Sequence, residues 1–390
     1  MGAPTAPSDV LGASGVAAEA RVAPSAQPGP SRPAERAPLY IPSLDGVRAL
    51  SFMIVFVAHA GLGWIVPGYF GLSLFFFLSG YLITTLLRVE FERTDDVSLR
   101  QFYLRRALRI FPPFYLVLAV AMAVTAFGLW GGSLTTKAIL YQTLHLTNYY
   151  IVDHGWWTGL APGTWVYWSL AIEEHFYLVF PLVYLLLRRR GLSAGRQALI
   201  LVGLCAIVLA WRCVLVFAFD APKDRMYVST DTRVDAILAG CILAIWKNPA
   251  LERPADDRAL KRLWLPLGAA AVLASLLIRI PDFEQTFRYS LQSFGLMPFF
   301  AAAVRWHDRG MLRLLNLRFV RYVGVLSYSM YLMHTSMLWG LGQWTSWSEP
   351  VRGVAALAVL LTAATLIHRY VEKPCAALRR RLSGTFNPGA

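Results

Sequence analysis

Ten stretches of roughly 20 apolar residues recur along the chain, centred near 47–66, 69–87, 110–129, 166–187, 198–219, 234–246, 263–280, 289–305, 322–342 and 353–370. No other feature limits the fold as much. A bilayer core about 30 Å thick is crossed by a helix of about 20 apolar residues. Composition agrees: the 390 residues are 56% hydrophobic and only 15% charged, with mean hydropathy +0.48. A soluble domain this apolar would precipitate. The expected class is all-α: a polytopic membrane helical bundle of about ten transmembrane helices. The sixth stretch is short for a span, so its helix is expected to begin earlier, or to be tilted or buried.

The formal net charge of +14 invites a nucleic-acid reading. Its distribution argues otherwise. With the N-terminus cytoplasmic, 28 Lys and Arg fall in inside segments. Seven fall in outside loops: Lys137, Lys223, Arg225, Arg233, Arg279, Arg288 and Arg352. Arg48 and Arg212 lie within spans. Such alternation is the positive-inside rule. It places both termini in the cytoplasm, and the charge then serves orientation and contact with anionic lipid rather than nucleic acid.

Residues 1–38 are rich in Ala, Pro, Ser and Gly and cannot build a core. They are expected to form a disordered cytoplasmic tail. No apolar h-region precedes the first long span, so a signal peptide is not expected. Residues 39–376 form the expected transmembrane domain, and 377–390 a basic cytoplasmic tail. Cys205, Cys213, Cys241 and Cys375 are scattered without CxxC spacing, so neither a disulfide framework nor a metal site is expected.

Ionisable groups inside spans each cost roughly 2.5–3.5 kcal/mol on insertion, and so point to function or to structural pairing. The main set is His59, Glu173, Glu174, His175, Arg212, Asp235 and His334, with Asp45 and Arg48 at the start of the first span. Eleven residues of helix separate Arg48 from His59, a rise of about 16 Å that returns to within about 20° of the same face. One face then carries a cation near the surface and a titratable base deeper in. That suits a ligand with an anionic head, and equally suits two residues that bond to neighbouring helices.

In "LRQFYLRRALRIFPP" (Leu99 to Pro113), Arg105, Arg106 and Arg109 cluster, with Arg106 and Arg109 at i, i+3. Guanidiniums so presented suit bidentate phosphate binding. They also suit a purely topological role. In "TWVYWSLAIEEHFYLVFPL" (Thr164 to Leu182), Glu173, Glu174 and His175 sit near mid-span among Trp165, Trp168 and Tyr177. A carboxylate there can orient an imidazole, take a proton or bind sugar hydroxyls. It can also form a structural pair, for example Glu173 with Arg212.

From Leu44 to about Pro374 these pieces, in this order, resemble the acyltransferase-3 family of bacterial integral membrane O-acyltransferases. "SLDGVRALSFMIVFVAH" is similar to the family's opening, with an Arg-x10-His pair at Arg48 and His59. "FGLSLFFFLSGYLITTLL" resembles its second-helix signature, and "FYLRRALRIFPP" holds its Arg-x-x-Arg at Arg106 and Arg109. "YWSLAIEEHFYLVFPL", "TDTRVDAILAG", "LSYSMYLMH" and "RYVEKP" resemble later signatures. Two departures stand out: Ser73 where many members carry Asp, and His175 where many carry Gln. The first removes an acid near the second helix and the second adds a base, so both bear on acceptor choice. No part of this sequence resembles the hydrolase-like domain fused to some members.

The resemblance implies acyl-CoA, usually acetyl-CoA, as a cytoplasmic co-substrate, with no permanently bound cofactor. It implies a hydroxyl acceptor on a carbohydrate, envelope glycan or glycosylated metabolite such as a macrolide. It also implies residence in the bacterial inner membrane. On this reading His59 is the general base, and Glu173 or Glu174 orients it or holds the acceptor. Arg48, Arg106 and Arg109 anchor the CoA phosphates. Asp45, Ser79, Trp168, Tyr177, Asp235 and His334 are candidates for acceptor binding or support. A covalent acyl-histidine is an alternative route. The rival class is a proton-coupled transporter or flippase using the same buried charges. Inverted repeats would favour it, and none is visible in the sequence.

Overall fold

A computed structural model describes residues 1–2, 40–252 and 256–382. Nearly all of the expected N-terminal tail, and the last eight residues of the expected basic tail, lie outside the described residues. The described chain is helical, with no strand among the described residues. Its helices are α1 Pro42–Val57, α2 Gly68–Thr94, α3 Leu99–Ala126, α4 Thr136–Thr143 and α5 Thr147–His154. There follow α6 Tyr167–Arg189, α7 Ala194–Phe217, α8 Lys223–Val228, α9 Thr230–Ile245 and α10 Leu265–Leu277. The last are α11 Pro281–Gln285, α12 Phe287–Arg305, α13 Arg318–Trp344, α14 Glu349–Ile367 and α15 Lys373–Leu382.

Each of the ten predicted stretches overlaps one of these helices. Among the described residues, seven helices are long and apolar enough to cross a membrane: α1, α2, α3, α6, α7, α10 and α14 with their continuations. The most apolar window of α2 is 72% buried by protein, against 17% for that of α10 and 22% for that of α14. The centre of the bundle therefore lies at α2, and α10 and α14 present their apolar faces outward, as lipid-facing helices do.

The sixth predicted stretch becomes α9. Its 16 residues are shorter than a bilayer core requires, and it is buried along most of its length. It packs against α2, α7 and α12. Gly80 of α2 abuts the backbone of Ile237, and Gly240 of α9 abuts the backbone of Phe77. A side chain at either glycine would force these helices apart, which is the close approach that small residues permit between apolar helices. Because α9 starts at Thr230, Arg233 is not a loop residue as expected from charge alternation. It is fully buried among the rings of Phe76, Tyr227 and Tyr289, and donates from Nη1 to the Tyr227 carbonyl at 3.2 Å.

Contacts sort the connecting segments into two ends. At one end Arg189 meets Asp96, Gln101 meets the Leu382 carbonyl, Arg88 meets Glu252 and Arg321 meets Tyr40. At the other, the Trp339 and Trp344 indoles donate to the carbonyls of Trp130 and Leu129, and Lys223 faces Glu284. The first group comes from segments predicted inside; in the second, Trp130, Lys223, Glu284 and Trp344 come from segments predicted outside, and Leu129 and Trp339 from the adjoining ends of predicted spans.

Candidate active site

At the first end, two adjoining cavities of about 470 and 120 Å³ share Arg48, Arg106, Arg109 and Tyr328 in their walls. The larger is open beside Tyr40, Lys373 and Arg379. The smaller reaches deeper, to Ser79, Glu173, Glu174, Tyr177, Ser169 and Tyr331. The three predicted anion-binding arginines are therefore brought together.

Local structure explains their presentation. Ser98 caps α3, accepting from the Gln101 amide, and Pro112 and Pro113 lie inside the same helix. Proline supplies no amide hydrogen, which frees carbonyls one turn earlier and bends the helix. Nearby, the Tyr328 hydroxyl donates to the Ile110 carbonyl at 2.9 Å. Arg105 differs from its neighbours: it pairs with Glu90 at 2.7 Å, and Glu90 also accepts the Ser98 amide at 2.9 Å. Arg105 thus pins the start of α3, and Arg106 and Arg109 face the cavities.

Arg109 has no ion pair or hydrogen bond among the described residues. Arg106 lies over the rings of Phe102 and Tyr177 at 5.8 and 5.9 Å, and its buried Nε has no partner. Arg48 has one contact, with Asp45 at 3.3 Å, whose second oxygen accepts the Tyr40 hydroxyl at 2.6 Å. Three guanidiniums with so few protein partners make a site for an anion with several oxygens. On the opposite wall, Glu173 accepts from Ser79 at 2.6 Å and Tyr177 at 2.7 Å. The alternative pairing of Glu173 with Arg212 does not occur. Glu174 lines the cavity with no hydrogen bond or ion pair among the described residues.

His59 is elsewhere. Regular α1 ends at Val57, and Ala58–Leu62 form a π turn in which Gly61 has φ +100° and lies against Glu349. His59 lines a third cavity, of about 330 Å³, with Trp165, Trp339, Gln343, Glu349 and Arg352. The helical projection placed Arg48 and His59 on one face. What it missed is a partition between the cavities. The hydroxyls of Ser169 and Tyr331 are 2.6 Å apart and close the deep end of the arginine cavities. Trp165 and Thr335, four residues away on the same helical segments, line the histidine cavity. Four residues of helix rise about 6 Å, so the partition is about one turn thick.

His334 sits within that partition and is fully buried. Its Nδ1 lies 2.7 Å from the Tyr331 carbonyl oxygen, and its Nε2 lies 3.1 Å from Nδ1 of His59. Neither Glu173 nor Glu174 lines the histidine cavity. The groups bonded to His59 are His334 and the Val55 backbone carbonyl, not a glutamate.

Other predicted site residues have structural partners. Asp235 is fully buried and receives Arg212 at 3.0 and 2.7 Å and Ser290 at 2.7 Å. Trp168 is buried against Tyr227, 4.8 Å between ring centroids, and lines none of the three cavities. The two departures from the family pattern are also removed from these cavities. Ser73 donates to Gln292 at 2.8 Å, and His175 bonds Thr230 at 2.7 Å beside the Tyr149 ring. Sequence reasoning did not single out Tyr328, Tyr331, Ser169, Glu349 or Arg352. The first two stand in "LSYSMYLMH", where two tyrosines spaced by three on one helix were the available signal.

No solved structure matches this chain. Among curated proteins, O-acetyltransferase OatA of Staphylococcus aureus (strain NCTC 8325 / PS 47) is 29% identical over 349 residues, covering 86% of this chain and 57% of the relative. Peptidoglycan O-acetyltransferase OatA of Listeria monocytogenes is 28% identical over 357 residues, covering 86% of this chain and 56% of the relative. The chain thus spans little more than half the length of these relatives. Residues 41–369, which hold all three cavities except part of the open mouth, match the acyltransferase-3 family, described as an acyltransferase domain. With its membrane helices and that match over most of its length, the chain belongs to the acyltransferase-3 family.

Proposed function

We propose that this protein is a membrane O-acetyltransferase that takes an acetyl group from acetyl-CoA and places it on a hydroxyl of a cell-wall glycan. The observation that carries the reading is the pairing of two half-sites. An arginine-lined cavity opens at one end, and a histidine-lined cavity lies one helical turn beyond its closed end. Arg48, Arg106 and Arg109 would hold the CoA phosphates, with Arg379 and Lys373 at the mouth. Trp165, Trp339 and Glu349 would receive the acceptor, because indole faces stack on sugar rings and a carboxylate accepts from their hydroxyls. The name of the Listeria relative favours peptidoglycan over a glycosylated metabolite as acceptor. The family match supports a transferase over a transporter or flippase. With Arg233 inside α9, the distribution of basic residues, 28 in segments predicted inside and six in segments predicted outside, supports an arginine end facing the cytoplasm, in the bacterial inner membrane.

In the reaction, Nε2 of His59 removes the acceptor's hydroxyl proton as the oxygen attacks the thioester carbonyl. The new C–O bond forms, the C–S bond breaks, and the departing thiolate takes the proton from the imidazolium. For this the thioester arm must pass the Ser169–Tyr331 contact. A second reading is favoured by that same partition: His59 accepts the acetyl group covalently from one side and delivers it to the other. Radiolabelled acetyl-CoA mixed with the purified protein and no acceptor distinguishes them, since only the second leaves label on His59.

The central test is His59→Ala in purified protein supplied with acetyl-CoA and soluble peptidoglycan fragments. Loss of a general base costs about 10²–10⁴-fold in turnover, with donor binding retained. A folded His59→Gln variant with near-native turnover would remove His59 from the mechanism.

A further inference from the structure

We infer that His334 is a positioning residue that fixes the tautomer of His59, leaving Nε2 of His59 as the free lone pair facing the histidine cavity. The inference rests on the reading of His59 as base or nucleophile, and identifies what prepares it for either role.

The argument follows the hydrogen-bond directions. A backbone carbonyl only accepts. With its Nδ1 2.7 Å from the Tyr331 oxygen, His334 must carry a proton on Nδ1. A neutral imidazole has one N–H, so Nε2 of His334 is then an acceptor. The atom it meets at 3.1 Å is Nδ1 of His59, which must therefore donate. The proton of neutral His59 is thereby placed on Nδ1, and its Nε2 keeps an open lone pair. The His59 ring also has the Val55 backbone carbonyl, one turn back, as an acceptor, and the side chain is exposed to a cavity able to hold a ligand.

A purely structural histidine would not need this arrangement. Phe52 stands edge-on to the His334 ring at 6.0 Å, and the residue is wholly enclosed. A buried polar group needs a partner, but one bond to Tyr331 would meet much of that need. Instead the second nitrogen is aimed at His59, 275 residues away in sequence. The Tyr331 carbonyl, His334 and His59 form a directional chain. The Tyr331 hydroxyl takes part in the partition beside it, so a single tyrosine contributes to both features.

The test uses the full chain in lipid bilayers with ¹⁵N-labelled histidine, and identifies the His59 signals by their loss in His59→Gln. The expected spectrum has His59 protonated on Nδ1 and bare at Nε2. In His334→Leu that preference should weaken, with only the Val55 carbonyl left as an acceptor for the ring. Transfer to soluble peptidoglycan fragments should then fall at least about tenfold, toward the roughly 10⁴-fold cost of a wrong tautomer at a catalytic histidine. Acetyl-CoA binding should be unchanged. His334→Gln offers a carbonyl oxygen to His59 Nδ1, and should keep the tautomer and most of the turnover. A wild-type His59 protonated on Nε2 overturns the inference. So does His334→Leu with native tautomer and turnover. Should the leucine variant not fold, the wild-type spectrum and the glutamine variant still decide. If His59→Gln proves active while the wild-type tautomer is as expected, the base and nucleophile readings fail and the positioning geometry stands.

Discussion

Arg212 and Arg109 are both guanidiniums in the apolar body of the chain, and the protein holds them in opposite ways. Arg212 is fully enclosed and meets both oxygens of Asp235, the Thr232 carbonyl and the Ser290 hydroxyl. Its charge is matched within the fold. Arg109 lines an open cavity and has no such partner among the described residues, and Arg106 beside it meets only the rings of Phe102 and Tyr177 there. Charge matched by protein holds helices together, whereas charge left unmatched beside a cavity is available to a ligand. The same residue type in similarly apolar stretches thus divides into scaffold and site.

The largest effect should come from breaking the matched pair. Asp235→Ala leaves a buried guanidinium uncompensated, a change that costs about 3–5 kcal/mol, and should lower the detergent melting temperature or abolish folding. Replacing both partners with apolar residues of similar volume should recover much of that loss. A well-folded Asp235→Ala protein with an unchanged melting temperature would break the comparison from the scaffold side.

Arg106→Ala and Arg109→Ala should behave in the reverse manner. Folding is retained, because among the described residues no hydrogen-bonded or ion-paired protein partner is abandoned. Acetyl-CoA binding, read by titration calorimetry, weakens by roughly 1.5–3 kcal/mol for each charged hydrogen bond lost. Unchanged donor affinity in both single variants and in the double variant would return these arginines to a topological role.

The smallest effect belongs to Arg189, which meets Asp96 at 3.0 Å with side chains 62% and 55% exposed. The Val97 amide and the Arg189 guanidinium hold the Asp96 carboxyl below its ordinary range. A depressed carboxylate lends stability above its ordinary pKa and loses it only as pH falls through the lowered value. That contribution is present at neutral pH but small, because an ion pair between solvated side chains contributes little, so Arg189→Ala should leave melting temperature and turnover nearly unaltered there. A clear loss of either would mean that exposed charge matters here as much as buried charge.

Much of this division could be anticipated from the residues. The apolar stretches located helices, and the cost of charge in lipid singled out Arg48, His59, Glu173, Arg212, Asp235 and His334 as needing explanation. The sequence did not separate those explanations. Asp235 and Glu173 looked alike, yet one is matched to Arg212 and the other is held by Ser79 and Tyr177 beside a cavity. Arg105 and Arg106 are adjacent, but one turns to Glu90 and the other to the cavity.

Hydropathy and helical period are local properties, read over one or two turns, so the sequence by itself determined where helices form, which residues are costly there and how basic residues alternate. Partners and partitions depend on side chains far apart in the chain. Ser79 meets Glu173 across 94 positions, Ser169 meets Tyr331 across 162 and His59 meets His334 across 275. Helix packing alone sets those meetings. Only the tertiary structure decided that the arginines and His59 occupy separate cavities, and that another histidine, rather than a glutamate, lies against the imidazole.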